Sequence, residues 1–272
     1  MRIGFIGDIV GRPGRKMVRR YVPQLRQSEG LDFVIANYEN ASHGFGLTEK
    51  NAKELLSSGI DAMTGGNHTW DKKEIKGLLD SLPLLRPVNY PDGVPGRGVR
   101  IFDVGEEKLG VVNLMGHYGM PMVDNPFIAI NRVVETLEAE GVRDIFIDMH
   151  AEATSEKRAL LMMLKNRVSA IVGTHTHVGT DDLVIDAGCA YATDVGLTGC
   201  RDNVIGMDAK VPIERFLTGL PGRFDVPDKC KAMLQMIVVE LEGGRAKDAY
   251  KVRAYDDGEV EVSLRARVES FE

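Results

Sequence analysis

Side chains that bind metal ions through oxygen or nitrogen are concentrated in a few short blocks of this 272-residue sequence. Several blocks directly follow an apolar run typical of a buried β-strand. Because ligands in open α/β sheets gather at the carboxyl ends of strands, side chains placed there can converge on one point. The blocks are Gly7-Asp8, Asn37-Tyr38-Glu39-Asn40, Gly65-Gly66-Asn67-His68, Asp148-Met149-His150, Gly173-Thr174-His175-Thr176-His177 and, as the weakest candidate, Thr193-Asp194.

The residue types in these blocks indicate which chemistry they could perform. Oxygen and imidazole ligands without cysteine suit one or two divalent first-row metals. Two cations roughly 3.5–4 Å apart can clamp the attacking and leaving oxygens of an in-line displacement. Glu39 is the candidate for a bridging carboxylate, because a glutamate between Asn37 and Asn40 has no obvious role in a turn. A histidine outside the ligand set could protonate the leaving oxygen. The sequence therefore predicts a two-metal phosphoesterase.

Each block taken alone also has an ordinary explanation. Asp8 could form a turn or cap a helix, Asn67 could occupy a tight turn, and a single buried histidine such as His150 is often only a satisfied core residue. His175 and His177 favour metal binding more clearly, since two crowded imidazoles are a costly way to build a loop. The blocks are persuasive jointly, because chance is a poor explanation for so many potential ligands directly after predicted strands.

Composition limits the broad class of protein. With 43% hydrophobic and 27% charged residues, the chain has the composition of an ordinary soluble globule. Its net charge of -6 argues against bulk binding to a nucleic-acid backbone. The odd set of Cys189, Cys200 and Cys230, without motif spacing, predicts free thiols in a reducing compartment. With no signal peptide and no apolar run long enough for a bilayer, we expect a cytoplasmic protein without membrane contact.

Alternating strand and helix patterns indicate how the blocks are positioned. They predict an α/β sandwich of two mixed β-sheets flanked by helices, forming one domain over residues 1–272. Predicted helices cover residues 15–29, 48–58 with Thr48 as N-cap, 71–81, 128–140 and 155–166 with Ser155 as N-cap. Predicted strands cover residues 3–6, 33–36, 62–64, 99–104, 108–114, 144–148 and 170–172, and then only strands follow at 183–185, 190–193, 233–241 and 260–268. Residues 199–229 are rich in loop formers and receive no assignment.

The blocks resemble the motifs of the calcineurin-like metallophosphoesterases. Two positions depart from that general pattern: Val10 stands where a histidine is usual, and Glu39 replaces a bridging aspartate. With those departures, the chain resembles the YmdB-like family, bacterial phosphodiesterases active on 2′,3′-cyclic nucleotides. The resemblance spans nearly the whole chain and is carried by Gly7-Asp8-Ile9-Val10-Gly11, Glu39-Asn40-Ala41, Gly66-Asn67-His68-Thr69-Trp70-Asp71, residues 150–157, residues 173–178 and Thr193-Asp194-Val195-Gly196.

The resemblance implies a set of roles for these residues. One metal would be held by Asp8, Glu39, Asn40 and His177, and a second by Glu39, Asn67, His150 and His175. His68 would be the proton donor, steadied by Asp71. Apart from the resemblance, Trp70, the only tryptophan in the sequence, is expected to pack beside the site, with base stacking as the alternative. The metals implied are iron, manganese or magnesium, and the ligands are also compatible with zinc. Metal-bound hydroxide would open the cyclic nucleotide toward the 3′-nucleotide, in an enzyme expected to form a homo-oligomer.

Two other functions use the same residues. The metal site could serve a phosphomonoesterase or a nuclease acting on an RNA-derived substrate. It could also be a structural or sensing site in a regulatory protein that binds RNA or a protein partner. Structural sites are closed and catalytic sites keep an open position, so metal titration followed by a turnover test separates these classes.

Overall fold

A computed structural model describes residues 1–269, which form two mixed β-sheets with helices packed around them. The helices are α1 (Gly11–Ser28), α2 (Glu49–Ser57), α3 (Ile75–Leu78), α4 (Pro126–Ala139), α5 (Thr154–Leu164) and α6 (Lys210–Thr218). The strands are β1 (Arg2–Ile6), β2 (Phe33–Asn37), β3 (Ala62–Thr64), β4 (Leu84–Leu85), β5 (Val99–Val104), β6 (Glu107–Met115), β7 (Asp144–His150), β8 (Ala170–Thr174), β9 (Val184–Asp186), β10 (Cys189–Ala192), β11 (Gly199–Cys200), β12 (Ala232–Glu242), β13 (Arg245–Tyr255), β14 (Val260–Arg265) and β15 (Arg267–Glu269).

Parallel pairing brings the strand ends that carry the polar blocks to common edges. The first sheet has the order β14-β13-β12-β1-β2-β3-β4, with β11 added beside β12, and its strands β1 to β4 are parallel. The second sheet has the order β15-β9-β10-β8-β7-β6-β5, and β6, β7, β8 and β10 run parallel. Neighbouring parallel strands end at the same edge of their sheet, so the loops that follow them can build one site.

The apolar faces of the two sheets pack against each other, which fixes the position of one sheet edge relative to the other. Phe5 of β1 and Phe146 of β7 stack with ring centroids 5.5 Å apart. Both belong to a buried cluster that also includes Ile35, Val111 and Ile237. Burial of such side chains stabilises a fold by roughly 25 cal/mol per Å² of apolar surface, so this layer helps to hold the two sheets together.

The predicted fold class, an α/β sandwich of two mixed sheets with flanking helices, is confirmed. The N-cap at Thr48 is also confirmed, since its side chain accepts a hydrogen bond from the Asn51 backbone N–H. The helix that was expected to begin at Ser155 begins at Thr154, and Ala153 is its N-cap, so the predicted capping role of Ser155 is wrong. The helix expected over residues 71–81 shrinks to α3, because the residues before it form turns.

Three elements were missed in the carboxyl-terminal part of the chain: the two-residue strand β11, helix α6 and strand β13. Strand β13 lies between β12 and β14 although its charged residues break up any apolar run. Helix α6 forms in the unassigned segment, where the pattern around it had suggested only strands. None of the helices described in residues 1–269 combines the length and hydropathy needed to cross a bilayer.

The prediction of three free thiols is wrong for two of them. Cys200 and Cys230 form a disulfide across a sequence separation of 30 residues. Pairing of β11 with β12 sets Cys200 opposite Ala232 and so brings the two cysteines together. Their spacing in the sequence gives no sign of this contact. Cys189 is a free, buried thiol.

Candidate metal centre

Seven predicted ligands lie in loops or at strand ends where the two sheets meet. Asp8 follows β1, Glu39 and Asn40 follow β2, and Asn67 follows β3. From the second sheet, His150 is the last residue of β7, and His175 and His177 directly follow β8. The structure therefore brings residues separated by up to 169 positions into one region, which is the convergence expected from the strand ends.

Four of these side chains meet around a single ring nitrogen. His150 Nε2 lies 3.2 Å from Glu39 Oε1, 3.2 Å from His175 Nδ1 and 2.9 Å from Asn67 Oδ1. Glu39, His150 and His175 each offer a ligand atom within 4.8 Å of the others. Oxygen and imidazole nitrogen atoms gathered in this way fit one divalent cation.

A second group lies next to it around Asp8. His177 Nε2 is 3.7 Å from Asp8 Oδ1. Within residues 1–269, Asp8 Oδ1 and Asn40 Oδ1 are both buried and have no hydrogen-bond partner. Buried polar atoms are almost always satisfied, because leaving one unpaired costs about 1–3 kcal/mol. The orphaned Asp8 oxygen near an imidazole nitrogen, together with Asn40 in the same cavity as His177, fits a second cation.

In His150 and His177, the hydrogen bond made by Nδ1 determines which ring nitrogen can bind metal. Thr174 donates its hydroxyl hydrogen to Asp148 Oδ1 at 2.7 Å, so its oxygen accepts from His150 Nδ1 at 2.9 Å. His177 Nδ1 donates to the carbonyl of Ile205 at 2.8 Å. These bonds leave the Nε2 lone pairs of both rings for a cation, as is usual for histidine ligands.

His175 has the opposite arrangement. Its Nε2 is 3.1 Å from Glu152 Oε2, and its Nδ1 faces His150. Neither the relay from Asp148 through Thr174 to His150 nor the contact of Glu152 with His175 was predicted from the sequence. Both assignments need the distance between chain segments, which the sequence does not display.

The pKa values in the centre are shifted because the Glu39 carboxylate is buried beside His150. Burial raises the pKa of Glu39, but the charge of His150 and its hydrogen bond outweigh burial and bring that pKa to about 2. Burial lowers the pKa of His150, but the Glu39 carboxylate reverses this and raises it to about 9. Burial and the neighbouring His150 lower the pKa of His175 to about 3. Asp8 is fully buried, and burial raises its pKa despite the opposing effect of His177.

Gly66 permits the close approach of the two sheets at this point. A Cβ atom on Gly66 would overlap Glu39 Oε2 and the imidazole of His150. Any larger residue would displace the carboxylate from the ring. The glycine in the Gly66-Asn67-His68 block therefore has a steric role in addition to its place in a turn.

The loop that carries two of the histidines has an unusual backbone. His175 and His177 have positive φ values of 98° and 62°, a region that non-glycine residues rarely occupy. Such conformations persist only when surrounding contacts hold them. A fully buried ion pair provides those contacts: Lys157 Nζ lies 3.0 Å from Asp194 Oδ2 and donates to the Thr174 carbonyl at 2.8 Å.

Asp194 completes this support from the other side of the loop. Its Oδ2 accepts the Thr176 backbone N–H at 3.1 Å, and its Oδ1 accepts the Gly196 N–H at 2.9 Å. The Thr193-Asp194 block, the weakest metal candidate, therefore holds the histidine loop rather than joining the ligand cluster. A lysine on the buried face of α5 was the available sequence signal for this pair.

His68 lies at the rim of a cavity of about 440 Å³, which Glu39, Asn40 and His177 also line. Its Nδ1 is 2.9 Å from Asp71 Oδ2, and its backbone N–H donates to Glu39 Oε2 at 3.0 Å. The first bond orients the ring and leaves Nε2 as the atom that can serve a substrate. The predicted contact between His68 and Asp71 is present.

Comparison with known proteins assigns the chain to a family. Residues 5–252 match the family model described as YmdB-like protein. The chain is 48% identical over 254 residues to the 2′,3′-cyclic-nucleotide 2′-phosphodiesterase of Bacillus subtilis (strain 168), covering 93% of this chain and 95% of that protein.

Solved structures agree with this assignment. A hypothetical protein from Thermus thermophilus superposes with a TM-score of 0.89 and 41% identity, covering 94% of this chain and 99% of that one. A novel phosphatase from Mycoplasma pneumoniae gives a TM-score of 0.88 and 32% identity, covering 94% and 93% of the two chains. The protein is therefore a member of the YmdB-like family.

Proposed function

We propose that this enzyme is a binuclear metallophosphodiesterase that opens 2′,3′-cyclic nucleotides to 3′-nucleotides. The observation that carries the proposal is the convergence in one cavity of two kinds of group. Candidate metal ligands from Glu39, Asn40, His175 and His177 line this cavity. The orphaned Asp8 Oδ1 lies 3.7 Å from His177 Nε2. A histidine braced by Asp71 lies at the same cavity and outside the ligand cluster. The 48% identity to a phosphodiesterase of that specificity supports the choice of substrate.

In this proposal, the seven ligands divide between two metal positions. Asp8, Asn40 and His177 would hold one ion, Asn67, His150 and His175 would hold the other, and Glu39 would serve both. When bound, two divalent cations activate water as the nucleophile and neutralise charge that develops on the phosphate oxygens. Iron, manganese or magnesium are the proposed ions, since oxygen and imidazole ligands suit several first-row metals and do not exclude zinc.

The chain's own residues supply the proton that the leaving group needs. The water loses one proton to solvent as its oxygen forms a new bond to phosphorus, while the bond between phosphorus and the 2′ oxygen breaks. His68 Nε2 donates a proton to that departing oxygen, which yields the 2′ hydroxyl and leaves phosphate on the 3′ oxygen. Asp71 keeps the ring oriented through Nδ1 at 2.9 Å. The same donor would also serve a phosphomonoester, so the choice of substrate must be tested directly.

Hydrolysis of 2′,3′-cyclic AMP by manganese-loaded enzyme tests the proposal. We expect turnover that chelation abolishes and that metal restores, with 3′-AMP as the product. A phosphomonoester such as 3′-AMP, supplied under the same conditions, should be a much poorer substrate. Preferred turnover of the monoester would favour a phosphomonoesterase. If the protein binds two metals but turns over neither compound, a regulatory metal protein would be favoured.

A further inference from the structure

The cavity beside the candidate metal centre has two unlike walls. One wall consists of the polar residues already described. The other comes largely from the α6 segment, defined as residues 201–229, which the disulfide between Cys200 and Cys230 brackets. This second wall is mainly apolar and includes Ile205, Met207, Phe216 and Phe224. An active centre that handled only a small phosphate ester would not need such a wall.

We propose that the apolar wall of the α6 segment binds the base of the nucleotide, with the ring of Phe216 as its stacking surface. The proposal rests on the proposed function, because the phosphate must lie at the candidate metal centre, whose residues line the same cavity. A cavity of about 440 Å³ is within the usual 300–1,000 Å³ range of small-molecule sites. A nucleotide has the matching polarity, with a charged phosphate at one end and an aromatic base at the other.

Phe216 is the aromatic residue best placed for this role. It is 85% exposed, although it lines the cavity. Leaving a phenyl ring in water is unfavourable unless a partner covers it, and a flat base can cover it by stacking. Leu217, the next residue on α6, is 81% exposed but does not line the cavity, so it provides a natural control.

The other nearby aromatic rings are already engaged. Phe45 contacts the ring of His68 edge-on at 4.9 Å, and the guanidinium of Arg215 lies 5.6 Å from the ring centre of Phe224. Trp70 packs edge-on against Tyr90 at 5.5 Å and also lies against the core. Trp70 was expected from the sequence to pack beside the site, and its contacts leave base stacking to a residue of the α6 segment.

Stacking on an apolar wall predicts broad base tolerance. Every base has an aromatic face, and the wall offers few groups that could read the hydrogen-bonding edge of a particular base. We therefore expect cyclic nucleotides of all four bases to be accepted. Purines should bind more tightly than pyrimidines, because their larger faces cover more of the ring.

The test compares a cyclic nucleotide with a cyclic diester that lacks a base. Manganese-loaded wild type, Phe216→Ala and Leu217→Ala are assayed with 2′,3′-cyclic AMP and with glycerol 1,2-cyclic phosphate, which has the same five-membered ring. In Phe216→Ala, we expect the ratio of kcat/KM for the nucleotide to that for the base-free diester to fall about tenfold, through KM. Leu217→Ala should keep the wild-type ratio.

Different outcomes separate the base site from the reaction itself. An unchanged ratio in Phe216→Ala, with active wild type, would overturn the base site and leave the proposed function standing. If wild type hydrolysed neither diester, the proposed function would be overturned. Calorimetric titration with 3′-AMP and ribose 3-phosphate would then decide the base site, because stacking requires that Phe216→Ala weaken binding of 3′-AMP alone. Equal weakening of both ligands, or of neither, would overturn it.

Discussion

At the scale of single residues, each candidate ligand histidine uses one ring nitrogen for a bond that orients it. His150 reaches Asp148 through Thr174, His177 bonds the Ile205 carbonyl, and His175 bonds Glu152. Removal of such outer partners commonly reduces metal affinity by about 10–100-fold, because the ligand loses both its orientation and its tautomer. The Thr174 relay is fully buried, so water cannot take its place.

Replacing Thr174 by valine should therefore weaken metal binding without removing any ligand. The valine keeps the shape of the side chain but leaves His150 Nδ1 without its acceptor. We expect metal affinity, measured by competition with a chelator, to fall by about 10–100-fold.

Thr174→Ser is the matched control, since serine restores the hydroxyl. It should bind metal with nearly wild-type affinity. Equal affinity in the valine and serine variants would show that the relay does not orient His150.

The sequence was most informative about residues directly after strands. Asp8 and Glu39 could be placed near one another because the parallel strands before them end at a common edge. His150 ends a strand of the second sheet, and the family resemblance joined it to them. Thr174 and Glu152 could not be assigned in the same way. Their roles depend on distances of about 3 Å between side chains from different segments, which periodicity does not reveal.

At the scale of elements, helix α5 and the loop after β8 are joined by the buried Lys157–Asp194 pair. Both side chains are fully buried, and the pair holds a loop whose two histidines have positive φ. Breaking a buried pair by removing one partner is strongly destabilising, since it leaves an uncompensated charge in the core.

Lys157→Met should accordingly destabilise the protein by about 3–5 kcal/mol, as measured by urea denaturation. The variant keeps the apolar stem but leaves the Asp194 carboxylate without its cation. The double variant Lys157→Met/Asp194→Asn also removes the unpaired charge of Asp194 and should recover part of the lost stability. A double variant as unstable as the single one would contradict the assignment of the cost to an unpaired charge.

Some helices and strands could be predicted from the sequence, and others could not. Amphipathic helices such as α4 and apolar strands such as β7 were predicted to within a few residues. Strand β13 was not, because its lysines and arginines obscure the alternation, and its pairing with β12 and β14 stabilises the strand instead. The segment containing α6 has too few buried residues for a clear pattern, since Pro212 is its one buried helix position.

At the scale of the whole molecule, a buried lysine connects the two sheets. Lys251 of β13 donates to the carbonyl of Thr180 at 2.6 Å and to that of Asp194 at 3.0 Å, both in loops of the second sheet. Burial lowers the pKa of Lys251 from 10.5 to about 8, although the charge of Asp194 opposes this. The folded protein thus holds this proton less tightly than the unfolded chain does.

Stability should therefore depend on alkaline pH through Lys251. Below about pH 8 both states carry the proton, and the full cost of burying the charge is present. Between about pH 8 and 10.5 the unfolded state binds more protons, so the free energy of unfolding rises with pH. Relative to Lys251→Met, wild type should gain up to about 3 kcal/mol across this window in urea titrations at successive pH values. Parallel pH profiles for the two proteins would refute this role.

The most direct test of a two-metal centre with a separate proton donor is metal analysis combined with turnover in three purified proteins. Wild type loaded with manganese should hold two ions per chain and hydrolyse 2′,3′-cyclic AMP. Glu39→Gln should lose both ions, because its carboxylate is proposed to serve both positions. His68→Ala should keep both ions and lose about 10²–10⁴-fold in kcat, the usual contribution of a general acid. Equal metal loss in the two variants, or full activity in His68→Ala, would contradict the proposed division of roles.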